Sequence, residues 1–224
     1  MRGICRVGFV ALSVAILVRC DWGKTRVSSP RRATVNRKTK ETDIHVELDL
    51  DGRGASEIDT GIPFVDHMLT LMAAHGFMDL RVKARGDTGV DDHHTVEDLG
   101  ICLGKALSEA LGGKAGIRRF GDAFVPLDEA LARSVVDLSN RPFLAYRVAL
   151  EQSKSGRFDV NLIREFFRAV VLHSGMTLHI DLISGDDAHH IAECIFKSFG
   201  RALDQAVTLE PRLQGGVPST KGLL

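Results

Sequence analysis

The sequence predicts an α+β fold made of two pseudo-symmetric repeats, each with helices packed on one face of a mixed β-sheet. Three recurrences carry the prediction. The segment HGFMDLRV, His75 to Val82, can be laid over HSGMTLHI, His173 to Ile180. Eighteen residues after His75 stand His93, His94 and Glu97 in an HHxxE pattern, and sixteen after His173 the pattern returns as His189, His190 and Glu193. Seven positions past each glutamate, Gly104 to Leu107 (GKAL) matches Gly200 to Leu203 (GRAL). Three matches in one order at nearly constant spacing indicate an internal duplication, with repeats at about 32–120 and 121–210.

Ile44, Val46, Leu48 and Leu50 alternate with polar residues as a half-buried strand does, and Gly52 and Gly54 close it. Phe64 to Ala74 places Phe64, Met68, Leu71 and Met72 near one helical face. Leu80 to Ala84 alternates again as a strand. From His93, the residues Val96, Leu99, Leu103, Ala106, Leu107 and Ala110 recur at helical spacing until Gly112 and Gly113 stop the helix. Arg133 to Leu138 and Phe143 to Leu150 read as strands, with a turn at Ser139 to Pro142. A helix at Leu162 to Leu172, a strand at Met176 to Leu182 and a helix at His189 to Val207 repeat the plan of the first half. Neither half is self-sufficient, so residues 32–224 are read as one domain with an extended tail at 211–224.

The 224-residue chain is 44% apolar and can fill a real core. Its formal charge is zero, but residues 1–40 hold ten Lys or Arg against one acid, leaving 19 basic and 28 acidic residues to the body. Nothing in that mildly acidic body suggests a nucleic-acid groove. In the N-terminal extension, residues 1–31, Arg2 and Arg6 precede an uncharged run, Val7 to Val18, too short to span a bilayer. The extension is read as dispensable or as a misassigned start, with a secretory signal or an organelle transit segment as alternatives. The expected location is the cytoplasm, or a plastid or other organelle if the extension is a transit segment. Cys5 and Cys20 lie in the extension and Cys102 and Cys194 inside helical patterns, which argues against a disulfide framework.

Residues four apart on a helix share a face, whereas neighbours point about 100° apart. His93 and Glu97 can therefore grip one ion while His94 points elsewhere, and the same holds for His189 with Glu193 and for His190. Two such motifs related by a pseudo-two-fold axis would build two metal sites by exchanging their odd histidines. The duplication adds His67, eight residues before His75, and Glu165, eight before His173. The expected shells are His67, His94, His189 and Glu193 for one ion, and His93, Glu97, Glu165 and His190 for the other. Imidazole and carboxylate without thiolate suit Mn, Fe, Co or Zn in octahedral or open geometry. A single pair of histidines at a helix start is ordinarily an exposed first turn, here with Asp91 and Asp92 favoured by the helix dipole. Its recurrence at duplicated positions outweighs that reading. His75 and His173 are read as capping or packing residues, His45 as solvent-facing, and His179 as structural or as a competitor for the Glu165 role. Weaker signals for an anion come from Arg118, Arg119, Arg141, Ser219 and Lys221. Ser219 and Lys221, two apart on an extended tail, would offer a hydroxyl and an ammonium to one phosphate.

The ordered motifs TKETDI (Thr39 to Ile44), TGIPFVDHM (Thr60 to Met68), DDHHTVEDLGI (Asp91 to Ile101), RPF (Arg141 to Phe143), GMTLHI (Gly175 to Ile180), HHIAECIFK (His189 to Lys197) and PSTKG (Pro218 to Gly222) closely resemble imidazoleglycerol-phosphate dehydratase, of histidine biosynthesis. The resemblance covers about Arg32 to Leu224. It implies a ribosomal protein S5 domain 2-like duplication and a lyase that converts imidazole glycerol phosphate to imidazole acetol phosphate and water. It also implies two Mn2+ per active site and a large symmetric homo-oligomer, generally of 24 subunits, with sites at subunit interfaces. Implied metal ligands are His67, His93, His94, Glu97, His189, His190 and Glu193, and the eighth position, commonly histidine in the family, holds Glu165 here. Implied substrate-binding residues are Glu41, His67, His93, Glu97, Arg119, Arg141, His189, Ser219 and Lys221.

The chemistry explains the metals. The hydrogen to be removed lies on a carbon bonded to an imidazole ring with no carbonyl beside it, so the ring must serve as electron sink, a task for two cations on its nitrogens. Glu41 and Glu193 are the candidate acid and base, because that work needs carboxylates within hydrogen-bond reach. The rival readings are a dinuclear metallohydrolase of a phosphate ester and a non-catalytic, metal-stabilised assembly.

Overall fold

The computed structural model describes residues 30–223, so the apolar run Val7 to Val18, Cys5 and Cys20 lie outside the described residues. The first half runs β1 (Arg32–Lys38), β2 (Thr42–Asp49), β3 (Ser56–Asp59), α1 (Pro63–Gly76), β4 (Asp79–Gly86) and α2 (His93–Leu111). The second runs β5 (Phe120–Leu127), β6 (Ala130–Asp137), β7 (Phe143–Arg147), a small hairpin of β8 (Lys154–Ser155) and β9 (Phe158–Asp159), then α3 (Leu162–Ser174), β10 (Thr177–Ser184) and α4 (Ala188–Val207). Among the described residues no helix is long and apolar enough to cross a membrane.

Each half contributes one four-stranded sheet with the same wiring, in the orders β1-β2-β4-β3 and β5-β6-β10-β7. In both, the first two pairings are antiparallel and the last is parallel. Alternation sends Ile44, Val46 and Leu48 of β2, and Leu80, Val82 and Ala84 of β4, to the covered face. The fold is thus α+β and duplicated, as the sequence predicts.

The helices interlock the halves. α2 lies on β1 and β2 and α4 on β5 and β6, but α1 of the first half packs on α4 of the second, and α3 of the second packs on α2 of the first. Glycine permits both crossings: a Cβ at Gly104 would stand 2.7 Å from the carbonyl oxygen of Val170, and one at Gly200 would stand 2.6 Å from that of Met72. The duplicated GKAL and GRAL segments are therefore helix–helix contact points. Beside the second, Phe166, Phe167, Phe196 and Phe199 fill the core with ring centroids 5.1–5.5 Å apart.

Several elements lie beyond the sequence prediction. β1 buries only Val35, so its pattern is nearly silent. β5 buries Gly121, Ala123 and Val125 while turning Phe120 and Phe124 outward, which reverses the expected alternation. The turn at Ser139 to Pro142 closes no hairpin, because β10 lies between β6 and β7. The tail is not extended at Ser219: the Lys221 N–H donates to Ser219 Oγ and the Gly222 N–H to the Ser219 carbonyl, a local turn.

Candidate functional site

The packing of α1 on α4 brings His67 to the first turns of α4. His67 Nε2 and His189 Nε2 each lie 3.0 Å from Glu193 Oε1, and the three donor atoms fall within 4.8 Å of one another. His189 and Glu193 share a face as their spacing requires, while His67 arrives from the other half. Lys197, one turn further along α4, donates to Glu193 Oε2 at 2.6 Å. Burial alone would raise the Glu193 carboxyl, but the hydrogen bonds from Lys197 and His67 outweigh it and hold the pKa down to about 2. The carboxylate is therefore ionised throughout the neutral range. Donor spacings of 3.0 Å match the edge of a coordination polyhedron whose arms are about 2.1 Å, so two imidazoles and this carboxylate fit a divalent cation.

The pseudo-equivalent place lies between α2 and α3. His93 Nε2 is 3.5 Å from Glu97 Oε2, and Glu165 stands where α1 has His67. Arg168 links the carboxylates, with Nη2 3.7 Å from Glu97 Oε1 and Nε 3.1 Å from Glu165 Oε2. A guanidinium thus offsets the second negative charge that replaces an imidazole.

The odd histidines stand apart. His94 Nδ1 lies 3.0 Å from Asp87 Oδ2 and 4.0 Å from Glu41 Oε2, and His190 Nδ1 lies 2.9 Å from Glu129 Oε2. Neither belongs to the three-donor group, so within one chain the odd histidines are not exchanged. Asp187 caps α4 by accepting from the N–H groups of His189 and His190, while α2 has no side-chain cap and Asp91, one residue before its N-cap Asp92, accepts from the His93 N–H. Asp98 has another task, accepting from Thr42 and Arg37.

The basic residues form a separate cradle. Asp137, at the end of β6, grips Arg119 through Nε at 2.7 Å and Nη2 at 3.2 Å, and Arg141 through Nη2 at 3.4 Å. Arg119 also donates to the Pro218 carbonyl at 2.9 Å, drawing the tail with Ser219 and Lys221 alongside. Lys114 is buried behind them and bonded to Asn140, and burial pushes its pKa down. Three cations around one carboxylate leave a surplus that suits an anion.

The cradle and the three-donor group lie at opposite ends of α4. The Arg119 N–H donates to the Ala206 carbonyl, seventeen residues past His189, roughly 26 Å along a helix. Of the remaining histidines, His179 meets Arg147 and the Phe143 ring, and His45 bonds Asn36 and Glu47 on the outer face of its sheet. His75 and His173 have pKa values lowered by burial and by nearby cations, among them Lys197 for His75 and Lys105 for His173. Lys197 and Arg168 carried a signal in their i+4 and i+3 spacing to a candidate ligand, whereas Asp87, Glu129 and Asp137 sit in loops or strand ends with no spacing to betray them.

Residues 60–203 match the family model described as imidazoleglycerol-phosphate dehydratase. A protein of that name from Halorhodospira halophila is 58% identical over 194 residues, 87% of this chain and 98% of that one. A longer one from Neisseria gonorrhoeae is 56% identical over 194 residues, 87% of this chain and 64% of that one. The crystal structure of imidazoleglycerol-phosphate dehydratase from Staphylococcus aureus subsp. aureus N315 superposes with a TM-score of 0.73 at 42% identity, covering 80% of this chain and 99% of that one.

Proposed function

The chain belongs to the imidazoleglycerol-phosphate dehydratase family, a family of hydro-lyases, and from that premise we propose that it dehydrates imidazole glycerol phosphate to imidazole acetol phosphate with two manganese ions per site. The reaction serves histidine biosynthesis, in the cytoplasm, in a symmetric assembly of 24 copies. The observation that carries the reading is the convergence of His67 and His189 on the ionised Glu193.

Manganese, when bound, supplies positive charge at the ring nitrogens and so makes the ring an electron sink. His67, His189 and Glu193 would hold one ion, and His93, Glu97 and Glu165 the other, each with an odd histidine, His94 or His190, from a neighbouring copy. Glu41, exposed in the β1–β2 turn, and Glu193 are the carboxylates for proton transfer. Arg119 and Arg141, with Ser219 and Lys221, bind the phosphate and fix the register of the ring.

The separation along α4 supports sites between copies. A substrate of one ring, three carbons and a phosphate spans roughly 10 Å, far less than the distance from a chain's own cradle to its own three-donor group. One chain's phosphate site would then serve the ion that another chain holds at His67, His189 and Glu193.

Incubating the purified protein with Mn2+ and imidazole glycerol phosphate tests the reading. The expected product is an enolisable ketone that keeps its phosphate, with activity lost on chelation and restored by Mn2+. Release of inorganic phosphate without the ketone would instead make the protein a metallohydrolase.

A further inference from the structure

We infer that Glu129 and Asp87 are positioning residues, each fixing an odd histidine so that its outer ring nitrogen is presented to a cation. The inference rests on the metal-binding reading above, and its observation is separate. In each half the Nδ1 of the odd histidine meets a carboxylate at hydrogen-bond distance, Asp87 Oδ2 at 3.0 Å for His94 and Glu129 Oε2 at 2.9 Å for His190. In neither does Nε2 have a hydrogen-bond partner among the described residues. A carboxylate on Nδ1 keeps the proton there, leaves the Nε2 lone pair free, locks the ring and raises its basicity as a ligand.

The two halves reach this arrangement by different routes. Glu129 directly precedes β6 as Glu41 directly precedes β2, so the two glutamates are pseudo-equivalent. Glu129 holds His190 and also accepts the N–H groups of Asp186 and Asp187 at 3.4 and 3.2 Å, tying the β5–β6 turn to the start of α4. In the first half the task passes to Asp87, from the β4–α2 loop, and Glu41 stays 4.0 Å from His94 Nδ1. Duplication thus made two like carboxylates, and Asp87 releases one of them, Glu41, for another use.

The test measures Mn2+ affinity of the chelator-stripped full-length protein by titration with electron paramagnetic resonance of the free ion. Glu129→Ala and Asp87→Ala are each expected to weaken binding at the affected sites 10–100-fold. Glu129→Gln, whose single amide oxygen can still accept from Nδ1 while its NH2 stands where the backbone N–H groups found their acceptor, should weaken binding less than Glu129→Ala. The metal-free melting temperature of Asp87→Ala should match that of the unaltered protein, whereas Glu129→Ala also loses the acceptor of two backbone N–H groups; in both, the rise on adding Mn2+ should be reduced. If Glu129→Ala does not fold, Asp87→Ala and Glu129→Gln carry the comparison. Alanine variants that bind Mn2+ as tightly as the unaltered protein would overturn the positioning role alone. No Mn2+ binding by the unaltered protein would overturn the metal reading itself, and the positioning role with it.

Discussion

Asp181 of β10 lies across from Arg133 of β6 and Arg147 of β7, and its carboxylate meets them at 2.7 and 2.5 Å. Burial alone would raise its pKa, but the guanidinium hydrogen bonds from Arg147 and Arg133 outweigh it and hold the carboxyl below its ordinary value. A carboxyl lowered in the folded state stabilises above its unfolded pKa of about 3.9 and loses that contribution as pH falls through the folded value. Asp181→Asn should therefore cost about 1–2 kcal/mol at neutral pH, discounted for two well-exposed arginines. In urea titrations the difference should shrink as pH falls below about 4, and a loss independent of pH would contradict the assignment. Asp137→Ala, which releases Arg119 and Arg141, should raise KM roughly tenfold or more with a smaller effect on kcat, as loss of uniform binding does. At this scale the sequence is eloquent about the residues that converge on α4 and silent about the side chains that support them. His189 and Glu193 announce themselves by spacing on one helix, whereas Asp137 reaches Arg119 from 18 residues away along a different element.

Glycine at a helix crossing ties an element's sequence to its packing. Gly104→Ala would place a methyl 2.7 Å from the Val170 carbonyl oxygen and 2.9 Å from His173 Cβ, and Gly200→Ala would place one 2.6 Å from the Met72 carbonyl oxygen. Each should destabilise by about 1–3 kcal/mol, because the obstacle in each case includes backbone of the facing helix. Gly113→Ala, with nothing within 4 Å and no left-handed φ, should change the urea midpoint little. The helices and the central strands β2, β4, β6 and β10 were legible because each buries one face, so its apolar residues keep the period of the element. Three of the four edge strands were not: β1 buries one large residue, β3 has four residues with none buried, and β5 points its phenylalanines at solvent, whereas the fourth, β7, lies within the segment read as Phe143 to Leu150. The exchange of α1 and α3 between halves was also invisible, since a repeat pattern specifies units and not which unit a helix crosses to.

The whole molecule presents Phe77, Phe120, Phe124 and Phe143 each more than half exposed, surface that suits burial between copies. Sedimentation velocity should find a large homo-oligomer near 24 chains, and a monomer at micromolar concentration would remove the case for interfacial sites. The proposal of sites shared between copies rests on the length of α4 between cradle and three-donor group. Co-expressing two differently tagged chains, one Arg119→Ala and one Glu193→Gln, and assaying the doubly purified mixed assembly tests this most directly. Each variant alone should be inactive, and random mixing should restore about one quarter of the unaltered activity, the fraction of composite sites with both parts intact. Mixed assemblies as inactive as their parents would contradict the account, since cradle and ions would then have to come from the same chain.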